Sequence, residues 1–355
     1  MSDRLSSPYD LLLCRPGAES DLLGECEGLY SLPGRAAGPG ILMFSAGKLP
    51  AAPLIFERQR LPGARLLPLP GGTRIPSAAA EVFWGPWAAD PMPWGVHRIA
   101  AEEEAGGLAR RLEGVAREWI RHGETLIPGL RKWERKPEKL LRESRGMILQ
   151  LLLTREGLWV SAAPASALTA PVPGGRFRMK MDPEAPSRSY LKMEEALLRL
   201  GIEPAEGERV IDLGAAPGGW TYAFARRGCF VTAVDNGPLK LSAAAVRRVE
   251  HVHRDGLSFK VSAHLPPVDW LVGDMLIPPG KAFGVLKYWI GGRHCRHLIL
   301  NIKLPQQQPL PALQPILEWL SPRGGFQVRQ LYHDRREVTV YGRLPPAAHS
   351  SQGFA

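Results

Sequence analysis

The sequence contains little cysteine and no long apolar run. Its 355 residues include four cysteines, which are scattered along the chain as Cys14, Cys26, Cys229 and Cys295. They lack the C-x-x-C spacing of a zinc site and the density of a disulfide framework, so we expect free thiols, a reducing compartment and no bound metal. No apolar stretch reaches the ~20 residues of a membrane-spanning helix, and the apolar segment near the N-terminus is too short for a signal peptide. These absences predict a cytoplasmic protein that contacts no membrane.

Acidic residues are outnumbered by basic ones. The chain has 35 Asp and Glu against 45 Lys and Arg, which gives a net charge of +10 and an isoelectric point of about 9.7. A basic surplus favours a polyanionic partner such as a nucleic acid, although many basic proteins bind none. No internal repeat of solenoid length is present. The length leaves room for two or three domains.

The segment 209–235, RVIDLGAAPGGWTYAFARRGCFVTAVD, organises the C-terminal half. It reads as a strand, a turn of small residues, a helix and a second strand that ends in an acid, which is typical of a nucleotide-binding βαβ unit. Glycines allow the backbone to approach a ligand, and a carboxylate at the second strand tip can accept both hydroxyls of a ribose. The candidate cofactor-binding residues in this segment are Asp212, Gly214, Ala216, Pro217, Gly218, Gly219 and Asp235.

The same turn departs from two familiar phosphate-binding patterns. Its glycines do not follow G-x-G-x-x-G, which counts against a nicotinamide-dependent oxidoreductase, and no Lys-Ser or Lys-Thr pair follows, which excludes a P-loop. A strand–turn–helix without any ligand is the remaining alternative. The acid at the tip of the second strand counts against it, because a ribose explains that acid and plain packing does not.

Strand and helix patterns continue to alternate after Asp235. Further strands are predicted at 251–255, 268–274 and 297–303, and a terminal strand pair at 327–333 and 338–341. This alternation predicts a doubly wound, mostly parallel sheet, and such sheets bind ligands at the carboxyl ends of their strands. Five charged residues are predicted to lie at that edge and to mark an active site: Asp212, Asp235, Asp255, Asp274 and Lys303.

Three further residues are candidates by their position relative to predicted elements. Lys192 lies near the start of a helix predicted at 192–200, and Ser189 precedes it. Glu337 stands at the entrance of the last strand. A single helical lysine usually faces solvent. Lys192 is a candidate only because acids and a second lysine are predicted at the sheet edge.

The N-terminal half carries no catalytic pattern. Residues 9–60 predict a small, ferredoxin-like α/β unit, with strands at 9–14, 41–44 and 54–56 and a helix at 19–27. Residues 61–95 are rich in Pro and Gly and predict a connection between domains, around which Trp84, Trp87 and Trp94 are buried.

Residues 96–163 read β-α-α-β-β and include a strongly basic stretch. Residues 131–145 hold seven Lys or Arg and three Glu, with Trp133 among them. A basic stretch with an interleaved aromatic suits the phosphate backbone of RNA. A charged, solvated surface explains it equally well, and the residues themselves leave both open.

Several segments resemble a known family. DLGAAPGGWTY resembles motif I of the S-adenosylmethionine-dependent RNA 2'-O-ribose methyltransferases, and Lys192, Asp274, Lys303 and Glu337 match that family's Lys-Asp-Lys-Glu tetrad in type and order. More closely, the chain is similar to the ribosomal RNA large-subunit methyltransferase M family. That similarity is carried by LLLCRPGAE, LIFERQ, DPEAPSRSYLKMEEA, VDNGPL, NIKLP and RQLYHDRREVTV.

The resemblance implies an α/β enzyme of three parts. These are a small ferredoxin-like unit at 1–62, a THUMP-like RNA-binding domain at 63–170 and a Rossmann-like class I methyltransferase domain at 171–355. It implies methyl transfer from S-adenosylmethionine to the 2'-hydroxyl of a cytidine in the peptidyl-transferase region of 23S rRNA, either naked or in an early assembly particle. A monomer is expected.

The resemblance also implies roles for single residues. Lys303 would accept the proton, and Ser189, the 216–219 turn, Asp235, Asp255 and Asp274 would line the cofactor site. One departure is the uncharged QQQPLP that follows Lys303-Leu304-Pro305, where basic residues are expected, so an RNA contact from this loop is in doubt. A tRNA 2'-O-methyltransferase and a non-catalytic rRNA-binding assembly factor with the same fold are the alternatives.

Overall fold

The computed structural model describes residues 5–69, 72–101, 106–140, 145–262 and 265–345. Internal contacts divide the chain into two compact units, Met1–Phe177 and Arg178–Ala355. Among the described residues, every helix is too short or too polar to span a lipid bilayer.

The first unit is built on one seven-stranded sheet with the order β2-β3-β1-β4-β7-β6-β5. Its strands are β1 (Tyr9–Leu13), β2 (Arg35–Gly38), β3 (Ile41–Ser45), β4 (Gln59–Pro68), β5 (Trp94–Ala100), β6 (Met147–Leu153) and β7 (Gly157–Pro164). Its α-helices are α1 (Glu19–Tyr30), α2 (Ser77–Ala89), α3 (Gly106–Leu126) and α4 (Pro137–Leu140). The predicted β-α-α-β-β order of residues 96–163 is confirmed by β5, α3, α4, β6 and β7.

Two predictions for this unit are wrong. Residues 54–56 form no strand, and the stretch 61–95 is not a mere connection, because it contains most of β4 and all of α2. The second error arose because the Pro62-Gly63 pair was interpreted as the start of a connection. The pairing register between β1 and β4 shifts at this point, so the pair occupies an irregularity within a strand, where Pro and Gly are tolerated.

The predicted burial of the three tryptophans is confirmed. Trp84 and Trp94 are fully buried and Trp87 is 5% exposed, and all three belong to the core between α2, α3 and the sheet. Strand β4 pairs with β1 through its first half and with β7 through its second half. The boundary predicted at residue 62 falls inside this strand. The division into ferredoxin-like and THUMP-like parts stays a prediction.

The second unit is built on another seven-stranded sheet, with the order β10-β9-β8-β11-β12-β14-β13. Its strands are β8 (Arg209–Leu213), β9 (Phe230–Val234), β10 (Val249–Val252), β11 (Val268–Gly273), β12 (Cys295–Lys303), β13 (Phe326–Arg329) and β14 (Glu337–Arg343). Its α-helices are α5 (Tyr190–Leu200), α6 (Gly219–Ala225), α7 (Ala243–Val246), α8 (Pro279–Leu286) and α9 (Pro309–Leu320).

This second sheet confirms the predicted doubly wound architecture. Strands β10, β9, β8, β11 and β12 are parallel, whereas β14 runs antiparallel between β12 and β13. The chain order reverses direction between β8 and β11, so a crevice lies at their carboxyl ends, where ligands bind in such sheets. Every predicted site residue lies in this unit.

Candidate active site

The turn between β8 and α6 is shaped by three glycines. Gly214 has φ +74° and Gly218 has φ +110°, which side chains rarely adopt. A Cβ at Gly214 would come within 2.5 Å of the Met275 side chain, and a Cβ at Gly219 would collide with the hydroxyls of Ser187 and Ser189. The backbone can therefore approach neighbouring groups here only because these positions lack side chains.

Asp235 follows β9 and ties this turn to the next one. Its Oδ2 accepts a hydrogen bond from the backbone N–H of Ala216 at 3.0 Å, and its Oδ1 accepts one from the N–H of Gly237 at 2.7 Å. A carboxylate has about four lone-pair sites, so two remain for a ligand. Asp235 thus holds the turn in shape and keeps acceptor capacity.

A cavity of about 300 Å³ opens beside Asp235 at the carboxyl ends of β8, β9 and β11. It is lined by Gly214, Ala216, Val234, Asp235, Asn236, Arg254, Asp255, Gly256, Leu257, Asp274, Met275, Leu276 and Ile277. Five predicted cofactor residues are therefore brought together here: Gly214, Ala216, Asp235, Asp255 and Asp274. The other five lie outside its lining: Ser189, Asp212, Pro217, Gly218 and Gly219.

Ser189 is placed where α5 meets the start of α6. Its Oγ lies 2.7 Å from the Oγ of Ser187, and its carbonyl oxygen accepts a hydrogen bond from Trp220 Nε1 at 2.9 Å. The residue immediately precedes the first turn of α5. Ser189 thus lies against the predicted glycine turn, and a role in cofactor binding stays a prediction.

Asp212 lies beneath the site rather than at its surface. It is 1% exposed, its Oδ2 accepts a hydrogen bond from Thr221 Oγ1 at 2.6 Å, and its Oδ1 has no hydrogen-bond partner among the described residues. Burial raises the pKa of this carboxyl to about 7, although the Thr221 hydrogen bond opposes the shift. Its assignment to the cofactor site stays a prediction.

Two lysines and two carboxylates form a cluster next to the cavity, which we term the lysine–carboxylate cluster: Lys192, Asp274, Lys303 and Glu337. Lys303 Nζ donates to Asp274 Oδ1 and to Glu337 Oε2, each at 2.6 Å. Lys192 Nζ donates to the other oxygen of Asp274 at 3.3 Å and forms an ion pair with the other oxygen of Glu337. Each carboxylate thus bridges both lysines.

The cluster draws its members from four separate elements. Lys192 lies on α5, Asp274 follows β11, Lys303 ends β12 and Glu337 begins β14. The register places Lys303 opposite Glu337 across the β12–β14 pair. Lys303 is the more accessible lysine, with 22% of its side chain exposed against 13% for Lys192.

The electrostatics of the cluster favour its charged forms. Burial lowers the pKa of Lys192, but Asp274, Asp334 and Glu337 outweigh it, so the pKa lies above its ordinary value. Burial raises the pKa of Glu337, but its contacts with Lys192 and Lys303 outweigh it, so that pKa lies below its ordinary value. Lys192 and Glu337 are therefore ionised near neutral pH.

The structure adds residues that the sequence reasoning missed. Asn301 Oδ1 accepts a third hydrogen bond from Lys303 Nζ at 2.6 Å, and the buried Asp334 lies behind Asn301. Strand alternation places Asn301 on the same face as Lys303, two residues away, and this signal could have identified it. Leu276, 90% exposed in the loop after Asp274, lines the cavity and had no signal in the sequence.

Known proteins similar to this chain agree with the predicted resemblance. The FtsJ-like methyltransferase model matches residues 185–337, a range that holds the whole lysine–carboxylate cluster. A ribosomal RNA large subunit methyltransferase M of Azoarcus sp. (strain BH72) is 42% identical over 200 residues, which cover 53% of this chain and 54% of that protein, so the match spans about half its length.

Two further relatives match over nearly their whole length. The proteins of the same name from Xanthomonas campestris pv. campestris (strain B100) and Xanthomonas axonopodis pv. citri (strain 306) are each 34% identical, over 93% of this chain and 97% of their own. Identity at this level over almost the entire length leaves no room for a chance match of one domain. The chain therefore belongs to the ribosomal RNA large subunit methyltransferase M family.

Proposed function

We propose that the protein transfers a methyl group to the 2'-hydroxyl of a cytidine ribose in the peptidyl-transferase region of 23S rRNA. Its family supports methylation of large-subunit ribosomal RNA. The observation that carries the choice of a ribose oxygen is the lysine–carboxylate cluster, in which Lys303 and Lys192 share the same two carboxylates beside the cavity. A ribose hydroxyl is a very weak acid, so methylation of its oxygen needs a positioned base.

S-adenosylmethionine is the cofactor, and the residues of the cavity fit it. Gly214 and Ala216 of the β8–α6 turn line the cavity, and Asp235 retains lone pairs for the two hydroxyls of a ribose. We assign the rim of the site to Asp255 and Asp274 and its supporting turn to Pro217, Gly218, Gly219, Ser189 and Asp212. When bound, the cofactor supplies an electrophilic methyl group on a sulfonium.

Lys303 is the proton acceptor in this proposal. It is the more exposed of the two lysines and lies at the end of β12, next to Asp274 on the cavity rim. A protonated lysine cannot accept a proton, so Lys303 must lose its own proton before transfer. The Lys192 ammonium nearby and the exclusion of water favour that loss, whereas Asp274 and Glu337 orient the amine and oppose it.

We assign contacts with the RNA backbone to the first unit, as a THUMP-like domain. Arg135, Lys136 and Lys139 are exposed, and Arg135 also donates to the backbone oxygens of Lys132 at 2.9 Å and Glu134 at 3.0 Å. Arg131 is paired with Glu124 at 2.7 Å and with Glu134 at 2.8 Å. Part of the basic stretch, 141–144, lies outside the described residues. Changing Arg135, Lys136 and Lys139 to Glu should weaken RNA binding and flatten its salt dependence, since fewer counterions are released. An unchanged salt slope would identify a merely solvated surface.

The decisive experiment maps 2'-O-methyl groups by mass spectrometry on 23S rRNA and tRNA from cells with and without this protein. The proposal requires that one cytidine of 23S rRNA loses its methyl group when the protein is absent. Loss of a tRNA methyl group instead would redirect the enzyme to tRNA, and loss of none would favour a non-catalytic assembly factor. Purified naked rRNA and assembling particles, compared as substrates, test the stage of action in the cytoplasm. Light scattering tests the expected monomer.

A further inference from the structure

Lys303 differs from Lys192 in one contact. Both lysines reach Asp274 and Glu337, but only Lys303 also donates to Asn301 Oδ1, at 2.6 Å; among the described residues, Lys192 has no contact with Asn301. An ammonium group has three N–H donors, so Asp274, Glu337 and Asn301 satisfy all three on Lys303. The third acceptor is neutral, whereas the other two are shared and charged.

Asn301 cannot turn its amide without losing this contact. Its Nδ2 donates to Asp334 Oδ1 at 3.0 Å and to Thr339 Oγ1 at 3.2 Å, and Thr339 Oγ1 in turn donates to Asp334 Oδ2 at 3.1 Å. A flipped amide would point its NH₂ at the Lys303 ammonium and its oxygen at a carboxylate. The network therefore defines the orientation of Asn301, which is fully buried together with Thr339.

The support behind Asn301 is itself held by α5. The backbone N–H groups of Tyr332 and His333, just before Asp334, donate to the two oxygens of Glu195 at 3.0 and 3.2 Å. Glu195 lies on α5, three residues after Lys192, and is fully buried. Helix α5 therefore carries Lys192 and, through Glu195, also holds the loop that places Asp334 next to Asn301.

We infer that Asn301 is a positioning residue for Lys303, with Asp334 and Thr339 holding its amide so that its oxygen fixes the position of Nζ within the cluster. This inference rests on the proposed role of Lys303 as proton acceptor. Being neutral, Asn301 stabilises the ammonium less than a third carboxylate would. It defines a position for Nζ without adding another charge that opposes deprotonation.

The test is single-turnover methyl transfer to 23S rRNA by the full-length Asn301→Leu variant across pH, at saturating cofactor and RNA. The rate on the pH-independent plateau should fall by about 10- to 100-fold, because the amine is no longer held in line with the hydroxyl. The midpoint of the acid limb should move to lower pH by about half a unit or more, because the ammonium form has lost a hydrogen bond. Lys192, Asp274 and Glu337 face Lys303, and burial raises the pKa of Asp334 behind Asn301 well above its ordinary value; all four residues are the same in both proteins. Binding of cofactor and RNA should stay within about twofold of wild type, because Asn301 contacts neither in this proposal.

A purely structural role predicts a different pattern. The rate would then fall only with the folded fraction, and the midpoint of the acid limb would not move. Ile316→Ala, which removes a buried side chain from α9, an element that contributes no residue to the cluster, is the matched control for lost stability and should leave both values per folded molecule unchanged. If Asn301→Leu does not fold, Asn301→Ser keeps a hydroxyl for Asp334 and should show the same rate loss and shift.

Two results separate this inference from the role of Lys303. A plateau within threefold of wild type, or a lower plateau with an unmoved midpoint, overturns the inference about Asn301. If Lys303→Ala retains wild-type transfer, it is the proton-acceptor assignment that fails, whatever the Asn301 variants do.

Discussion

The cavity and the lysine–carboxylate cluster share Asp274, yet they are built in opposite ways. The cavity is formed by short loops that follow neighbouring strands, with Asp235 hydrogen-bonded to Ala216 and Gly237 nearby. The cluster consists of long charged side chains from four elements far apart in sequence. The first arrangement suits the binding of a polar cofactor. The second holds an amine where a proton must be accepted. Substitutions in the cavity should therefore weaken cofactor binding, and substitutions in the cluster should slow methyl transfer.

The largest difference between the effects on binding and on transfer is expected for Lys303→Ala. Transfer should fall at least ~100-fold because the base is lost, while cofactor and RNA still bind. Stability should also fall, because the buried Glu337 keeps only Lys192 as its ion-pair partner among the described residues, so transfer is compared per folded molecule. Lys303→Arg should not restore activity, since a guanidinium remains protonated. Single-turnover transfer to 23S rRNA is the measurement, and near-wild-type activity of the Arg variant would reduce the cluster to a charge scaffold.

Asp235→Ala should weaken cofactor binding without impairing the transfer step. Cofactor binding should weaken by about 1.5–3 kcal/mol, the range for a hydrogen bond to a charged group. At saturating cofactor the transfer rate should stay close to that of wild type, in contrast to Lys303→Ala. Calorimetry measures the affinity, and an unchanged dissociation constant would remove Asp235 from the cofactor site.

Lys192→Ala should lower transfer less than loss of the base does. The raised pKa of Lys192 keeps it charged, so it disfavours a second charge on Lys303. Without this repulsion the neutral amine that accepts the proton should be less populated, and the rate at neutral pH should drop by about 10-fold. The rate should recover as pH increases. A loss that is equal at every pH would show that Lys192 acts by geometry alone.

The smallest effect concerns Asp212, which lies below the cavity. Its folded-state pKa of about 7 is above its ordinary value of 3.8, so the folded form binds more protons than the unfolded form between these values. Stability from this group is therefore lost as pH rises from about 4 to 7. Asp212→Asn keeps an acceptor for Thr221 and removes the charge, so its melting temperature should exceed that of wild type by about 2–4 °C above pH 7.

The melting temperatures of the variant and the wild type should converge as pH falls towards 3, where Asp212 is largely protonated in both states. Thermal melting near pH 3 and at pH 8 gives the comparison. A melting temperature that falls at pH 8, together with weaker cofactor binding, would place Asp212 in direct contact with the cofactor.

The N-terminal unit shows where local patterns fail. Pro62 and Gly63 normally interrupt elements, and they predicted a connection where the structure has the strand β4. The irregular pairing with β1 that accommodates them depends on a partner strand far away in sequence. No pattern within 61–95 contains that partner.

By itself, the sequence predicted the βαβ unit at 209–235 and the mostly parallel sheet, and its resemblance to a known family brought the four cluster residues together as a set. Strand period and glycine position are local properties, and they suffice to place Asp235, Asp274 and Lys303 at one sheet edge. Tertiary structure alone decided that Asp212 lies beneath this edge, that each carboxylate bridges both lysines, and that Asn301 completes the contacts of Lys303. These outcomes depend on the packing of α5 and on the β12–β14 register, which bring distant residues within hydrogen-bond distance and exclude water from one carboxylate while leaving others accessible.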